Sequence, residues 1–269
     1  MIPVVNESEH ALTVTSPAKI NLWLEILGRR EDGFHELVSL MVPTTLVDHL
    51  SLTFDAPEDL LEVPEGGAPA DPSNLVLKAL HQARQSRPIP PVQVELIKRI
   101  PAQAGLGGGS GNAAAILKCL HQRYPDPRGW AGVLADAEVL GSDISFFLGD
   151  GPAVVRGRGE ILEAVQEPLF TGLSPHACIW YPGFGLSTAD VYQQLSGPLT
   201  SGHMCRNFNI KNFRHGQEGF QHLFNRLLDG ARTLDSRIAL ISDLLEDHFS
   251  GRWIMTGSGS GFVIFAADP

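Results

Sequence analysis

Five of the seven residues from Gly105 to Gly111 are glycine, and this cluster constrains the chain more than any other stretch. Ahead of it, Val92, Val94 and Leu96 alternate with Gln93 and Glu95, which predicts a strand with one buried face. Behind it, Ala113, Ala114, Ile116, Leu117 and Leu120 fall on one helical stripe. Glycine costs backbone entropy on folding, so a packed element does not choose it for its own stability. At a strand-to-helix junction it lets the backbone approach a ligand and turn its N–H groups inward. The helix that follows adds unpaired amides and the positive end of its dipole. The expected occupant is an anion, and a polyphosphate suits it best. A flexible surface loop is the plain alternative, but such loops rarely run from an alternating strand into a well-striped helix.

The spacing excludes two common phosphate loops. A Walker loop ends in Gly-Lys-Ser/Thr, whereas Gly109-Ser110-Gly111 carries no lysine. Gly105, Gly107 and Gly109 lack the dinucleotide-fingerprint spacing, and no acidic residue stands at the ribose position. The formal net charge of −10 gives the molecule a field that repels polyanions, so nucleic acid and anionic membranes are poor partners. A phosphate ligand then needs local help from amides, lysine, arginine and a divalent cation.

With 269 residues, 43% of them hydrophobic, the chain can bury a substantial core in one large domain or two smaller ones. Cys119, Cys178 and Cys205 stand singly, in neither a disulfide framework nor a zinc spacing, and are expected to be reduced and buried. Residues 1–10 show no basic region or apolar run of a signal peptide, and no stretch approaches the ~20 apolar residues of a membrane span. The chain reads as cytoplasmic.

Leu12 and Val14 open an extended segment that Pro17 is expected to end or edge. Ile20, Leu22, Leu24 and Ile26 then alternate with Asn21, Trp23 and Glu25, which puts Lys19 and Asn21 on the face opposite the apolar row. Gly28 to Gly33 reads as a turn, and a β-like run continues from Phe34-His35 to Phe54. Ser73 is the expected N-cap of a helix carrying Leu75, Val76, Ala79, Leu80 and Ala83. A helix with Trp130, Val133, Leu134 and Ala137 leads to Asp143, which precedes the apolar run Ile144 to Leu148 as a cap or as a catalytic residue. Val154-Val155 and Ile161-Leu162 read as two strands, as does Ala177 to Tyr181, and a helix starts near Thr188. The stretch from Ser196 to Gly216 reads as irregular, with helices expected at Phe220–Leu228 and Ser236–His248. A second glycine turn, Thr256 to Gly261, lies between two strand-like runs, as in a hairpin. Strands and helices without strict alternation predict an α+β fold.

In this order the motifs resemble those of the GHMP kinases. The resembling residues are Pro17-Ala18-Lys19-Ile20-Asn21-Leu22, Arg30 to Leu37, Ser73-Asn74-Leu75, Ile100 through Ser110 with Asn112-Ala113-Ala114, Gly141 to Phe147, Gly157 to Glu160, and Thr256 to Gly259. They span most of the chain. The glycine loop points to the superfamily, and the Lys-Ile-Asn and Asp-Gly-Phe-His segments point to a narrower branch. The resemblance implies a two-lobed fold: an N-terminal lobe like ribosomal protein S5 domain 2 over 1–165, and a ferredoxin-like C-terminal lobe over 166–269. It also implies ATP-dependent phosphorylation of the 2-hydroxyl of a cytidine-diphosphate-linked polyol in isoprenoid precursor synthesis, with Mg2+ as cofactor.

By the same resemblance, Lys19 and Asp143 flank the acceptor hydroxyl, Asp143 taking its proton while Lys19 steadies the alkoxide. Pro101, Gly105, Leu106, Gly107, Gly108, Gly109 and Ser110 are implied to hold ATP. Asn21, Phe34, His35, Tyr192, Gly257 and Ser258 are implied to hold the substrate, with aromatic rings stacked on cytosine and His35 at its edge. Three positions depart from the family pattern. Gly111 replaces a serine, Arg226 stands where the family often has aspartate, and Pro269 follows soon after the second glycine turn, as in a shortened C-terminal lobe. Two rival readings remain: a GHMP kinase for another alcohol such as mevalonate or homoserine, and a nucleotide-binding regulator that has lost catalysis.

Overall fold

A computed structural model describes residues 4–8, 10–171, 176–195, 208–214 and 216–266. Strands β1 (Val4–Glu7), β2 (Ala11–Arg29), β3 (His35–Phe54) and β4 (Leu60–Glu65) come first, then helix α1 (Leu75–Ala83) and β5 (Val92–Ile97). Three helices follow: α2 (Gly108–Arg123), α3 (Trp130–Leu140) and α4 (Ile144–Leu148). Next come β6 (Ala153–Gly157), β7 (Ile161–Ala164), β8 (Ala177–Trp180) and α5 (Thr188–Gln193). The described chain closes with β9 (Phe224–Asn225), α6 (Leu227–Leu234), α7 (Ser236–Phe249), β10 (Trp253–Met255) and β11 (Phe262–Phe265).

These elements form two compact units, and the chain passes between them more than once. The first comprises Met1–Lys19, Pro43–Ala102 and Gly107–Gly151; the second comprises Ile20–Val42, Gln103–Leu106 and Pro152–Pro269. Strands β2 and β3 therefore each begin in one unit and end in the other.

Pro17 does not end the strand. Residues 11–29 form one strand of 19 residues. Strand β1 pairs with β2 only over Leu12 to Val14, and β9 only over Trp23 and Leu24. Neither of these two pairings uses the N–H that Pro17 lacks, and the backbone stays extended through it.

In the first unit, the alternation of β5 buries Val92, Val94 and Leu96. The strand pairs antiparallel with His49–Phe54 of β3 and parallel with β4. Helix α2 is buried over most of its girth, at Ala113, Ala114, Ala115, Ile116, Leu117, Cys119 and Leu120, because α1, α3 and α4 all pack on it. Helix α1 is capped by Asn74, not Ser73: the Asn74 carboxamide oxygen accepts from Val76 N at 3.0 Å. Ser73 N is instead held by Asp71 at 2.8 Å.

In the second unit, Leu37–Met41 of β3 pairs antiparallel with β6, which forms a hairpin with β7. Strands β10, β11 and β8 make a separate antiparallel sheet in that order. The helix expected over 220–228 is divided. Gln217–His222 is a 3-10 turn, Phe224–Asn225 pairs with β2, and α6 begins at Leu227. Asn225 makes the break: its Oδ1 accepts from Leu227 N at 2.9 Å, while its Nδ2 donates to Met255 O and Gly257 O. A helical backbone at Asn225 could not meet these partners and β2 together.

The irregular stretch expected at 196–216 lies mostly outside the described residues, as does Cys205; within it Ile210–Phe213 forms a 3-10 turn. Cys119 is buried as expected, but Cys178 is exposed, on β8 at the edge of its three-stranded sheet.

Candidate active site

The glycine loop has two different settings. In the first unit, α2 begins at Gly108 behind Gly107, whose φ of 69° is left-handed and whose position supplies no side-chain cap. The first amides of α2 are therefore left for a ligand or water. A β-carbon on Gly107 would lie 3.0 Å from the Phe147 ring and 3.1 Å from Lys19 Cγ, so the backbone runs tight against both side chains. One on Gly108 would come within 2.7 Å of Lys98 Nζ, and one on Gly111 within 2.5 Å of Ser16 Oγ. Gly109 is different: the nearest atom, Leu75 Cδ1, is 3.5 Å away, and the residue is exposed. Pro101 and Ser110 are half-buried.

Lys19 and Asp143 meet in the same unit. Lys19 Nζ lies 3.7 Å from Asp143 Oδ2, with the lysine side chain buried and the carboxylate 34% exposed. Asp143 precedes α4 but makes no side-chain cap bond, so capping is not its role. At 3.7 Å the pair attracts without a tight hydrogen bond, which leaves the carboxylate oxygens able to take a proton.

In the second unit, Gly105 has φ 71°, and a β-carbon there would fall 1.9 Å from Thr256 O. The segment is fastened to the second glycine turn: Gly261 N donates to Ala104 O at 3.1 Å, and the Thr256 hydroxyl to Gly105 O at 3.3 Å. Leu106 is buried beside it in sequence. Thr256 to Gly261 is the loop of a hairpin between β10 and β11, and it is buried throughout. Asn21 holds this loop, its Oδ1 accepting from Gly257 N at 3.0 Å and its Nδ2 donating to Ser39 Oγ at 2.8 Å. Ser258 shares a 2.8 Å hydrogen bond with Thr188 at the start of α5.

The turn before β3 is built to present its aromatic residue. Arg30 pairs with Asp32 and Glu36, and Asp32 accepts from Phe34 N at 3.1 Å. Phe34 is 52% exposed, with the Arg158 guanidinium 5.0 Å over its ring. The rings of His35 and Tyr192 lie 4.8 Å apart at 35°, in contact with each other. Burial, with the charge of Arg29 adding to it, pushes the His35 imidazole below the ordinary histidine value, so it is neutral at neutral pH.

Arg226 also finds an acid. Its Nε donates at 2.9 Å to Glu25, whose side chain is fully buried on β2. The positive charge at a position where an acid was expected thus neutralises a carboxylate 201 residues away in sequence. No local sequence pattern marks Thr256 and Asn225 as anchors of the hairpin loop, or Asp48 beneath α2, since small polar residues show their partners only once the chain is folded.

A left-handed glycine turn leads into an uncapped helix, with a lysine–carboxylate pair in the same unit, and by its similarity to known proteins the chain is a small-molecule kinase of the GHMP class. Residues 74–151 match the GHMP kinases N terminal domain family. More narrowly, the chain belongs to the 4-diphosphocytidyl-2-C-methyl-D-erythritol kinase family. It is 35% identical over 268 residues to the enzyme of that name from Protochlamydia amoebophila, covering 97% of this chain and 86% of that protein. With the Thermotoga maritima enzyme it is 32% identical over 273 residues, covering 99% and 95% respectively. A crystal structure of 4-(cytidine 5'-diphospho)-2C-methyl-D-erythritol kinase superposes with a TM-score of 0.72 at 30% identity, over 96% of this chain and 91% of that one. Homoserine kinase from Cytophaga hutchinsonii shares the fold, with a TM-score of 0.67 at 16% identity over 97% of this chain and 86% of that one.

Proposed function

We propose that this kinase transfers the γ-phosphoryl group of ATP to the 2-hydroxyl of 4-diphosphocytidyl-2-C-methyl-D-erythritol. The observation that carries this reading is the 3.7 Å pair of Lys19 and Asp143 in the unit where α2 opens with uncapped amides. In the proposed reaction Asp143 takes the proton of the acceptor hydroxyl, and the oxygen attacks the γ-phosphorus. The bond from that phosphorus to the bridging oxygen breaks, and ADP leaves. Lys19 steadies the negative charge that grows on the acceptor oxygen. Phosphoryl transfer asks mainly for alignment and charge neutralisation, and a cradle of amides with one cation and one carboxylate supplies both.

Magnesium fits as a passenger of the triphosphate. Among the described residues no cluster of three His, Cys, Asp or Glu side chains could cage a metal. Nucleotide-bound magnesium takes most of its ligands from phosphate and water, with one or two from protein. Half-buried Ser110, in the first turn of α2, is the loop oxygen available to it. Such an ion would neutralise phosphate charge, which the protein's own field of −10 does not.

The neutral His35 imidazole and the exposed Phe34 ring support cytidine over the other alcohols of the class. Retention of both Lys19 and Asp143 supports catalysis over a purely regulatory role. The deciding experiment is an ATP-consumption assay over mevalonate, homoserine and the cytidine-linked polyol. Turnover with the last alone is expected. Turnover with another alcohol, or ATP binding with no turnover at all, would select one of the rivals.

A further inference from the structure

A buried cluster under the first turn of α2 is not used by the chemistry above. Asp48, on β3, is fully buried, and its carboxylate takes four donors. Oδ1 accepts from the backbone N–H groups of Arg99 at 2.7 Å and Ile100 at 2.8 Å. Oδ2 accepts from Lys98 Nζ at 2.6 Å and Asn112 Nδ2 at 3.0 Å. Four donors fill the acceptor capacity of one carboxylate. Three of them, from Lys98, Arg99 and Ile100, lie on the stretch that leads to the glycine loop, and one, from Asn112, lies on the helix just past it. Asn112 Oδ1 is buried and, among the described residues, has no partner.

A loop binds an anion through its amides only as well as those amides are held in place before the ligand arrives. The glycines between residues 105 and 111 do not hold themselves. Resting on the nucleotide reading above, we propose that Asp48 is a positioning residue for the triphosphate loop, fixing its approach at Arg99–Ile100 and its far side at Asn112 to a single carboxylate. Lys98 makes this anchor tolerable in the interior, since a lone buried carboxylate would be prohibitively costly. Burial pushes the Lys98 ammonium below the usual lysine value while Asp48 opposes the shift, and a second hydrogen-bonding partner, Ile100 O, lies 2.7 Å away.

Asn112→Ala cuts the far tie and leaves the ion pair intact. Titration with a non-hydrolysable ATP analogue, well below the melting temperature, is expected to show affinity about tenfold weaker or worse, the size of one hydrogen bond to a charged group. The amides of 107–111 should exchange with solvent faster, and CDP affinity should not change. A second variant, Asp48→Asn combined with Lys98→Met, removes both charges. It keeps an oxygen for Arg99 and Ile100, and once the Asn112 carboxamide turns over, the new amide donates to Asn112 Oδ1. Its ATP-analogue affinity should stay within about threefold of wild type, because the ties survive in neutral form.

Asn112→Ala binding as tightly as wild type while only its melting temperature falls would make the cluster purely structural and overturn the proposal. Equal losses in both variants would overturn it too, by assigning the effect to the Lys98 charge. Failure of the wild type to bind the analogue is a separate result, which would remove the nucleotide reading itself.

Discussion

Asp143 and His35 pose opposite electrostatic problems. Asp143 must be ionised to accept a proton, and it faces the Lys19 ammonium 3.7 Å away. Asp143→Asn preserves size and cannot take the proton, so turnover should fall on the order of a hundredfold or more. ATP-analogue affinity and melting temperature should stay near wild type, because Asp143 caps nothing. A folded Asp143→Asn protein with near-normal turnover would remove this carboxylate from the mechanism. His35 must instead be neutral to offer one donor and one acceptor to a base edge. Its folded value lies below the ordinary 6.5, so it keeps its neutral form where an unfolded histidine has begun to protonate. That contribution to stability is fully present above 6.5 and is lost as pH falls through the lowered value. CDP affinity should follow the same course, flat from pH 8 to the ordinary value and weaker below the lowered one. Affinity that rises on acidification would mean that imidazolium, not imidazole, meets the ligand.

At the scale of elements, the glycine loop sorts its own residues. Gly107 needs glycine for the fold, because its φ is 69° and a β-carbon would press on Phe147 and Lys19. Gly109 does not: its backbone is helical, and a β-carbon would meet Leu75 Cδ1 at an ordinary contact distance of 3.5 Å. Gly109→Ala should therefore leave stability unchanged or raise it by up to about 1 kcal/mol, while the new methyl group obstructs phosphate and weakens ATP-analogue binding. Unchanged ATP affinity in Gly109→Ala, measured beside its melting curve, would place the phosphates elsewhere. Gly111 follows a third rule. Alanine there would meet Ser16 Oγ at 2.5 Å, a buried hydroxyl with no partner among the described residues. Gly111→Ala should cost about 1–3 kcal/mol through overpacking, and adding Ser16→Ala should recover part of it. The alternation of β5, the glycine run and the stripe of α2 were legible in sequence because each is a local pattern. The strand through Pro17 and the division at Asn225 were not, because both depend on strands and carbonyls far along the chain.

Across the whole molecule, the compact units divide the residues implied for the two ligands, with Gly105 and Leu106 of the ATP loop counted in the second unit. The lysine–carboxylate pair and the start of α2 lie in the first, and Phe34, His35 and Tyr192 lie in the second. Sequence motifs could name these residues through the family resemblance, yet could not show that the chain would visit each unit more than once. They also could not show that Arg226 would answer Glu25, since a pair so distant in sequence leaves no local pattern. The separation has a thermodynamic consequence. A ligand that binds only the native state stabilises it by about 2.7 kcal/mol at a hundred times its Kd, whichever unit holds it. CDP and an ATP analogue should each raise the melting temperature of the wild type. Tyr192→Ala removes a ring that now rests on His35 at 4.8 Å and, in the proposed complex, contributes to holding cytosine. Stacking is worth about 0.5–1.5 kcal/mol beyond buried area, so the variant should lose most of the CDP shift at limiting ligand. The shift from the ATP analogue should survive, because the triphosphate contacts proposed above are made by the start of α2, which belongs to the first unit, whereas Tyr192 belongs to the second. Scanning wild type and Tyr192→Ala with CDP, UDP and the analogue separates the possibilities. Equal shifts from CDP and UDP in the wild type would end the cytosine reading and leave a GHMP kinase for some other alcohol.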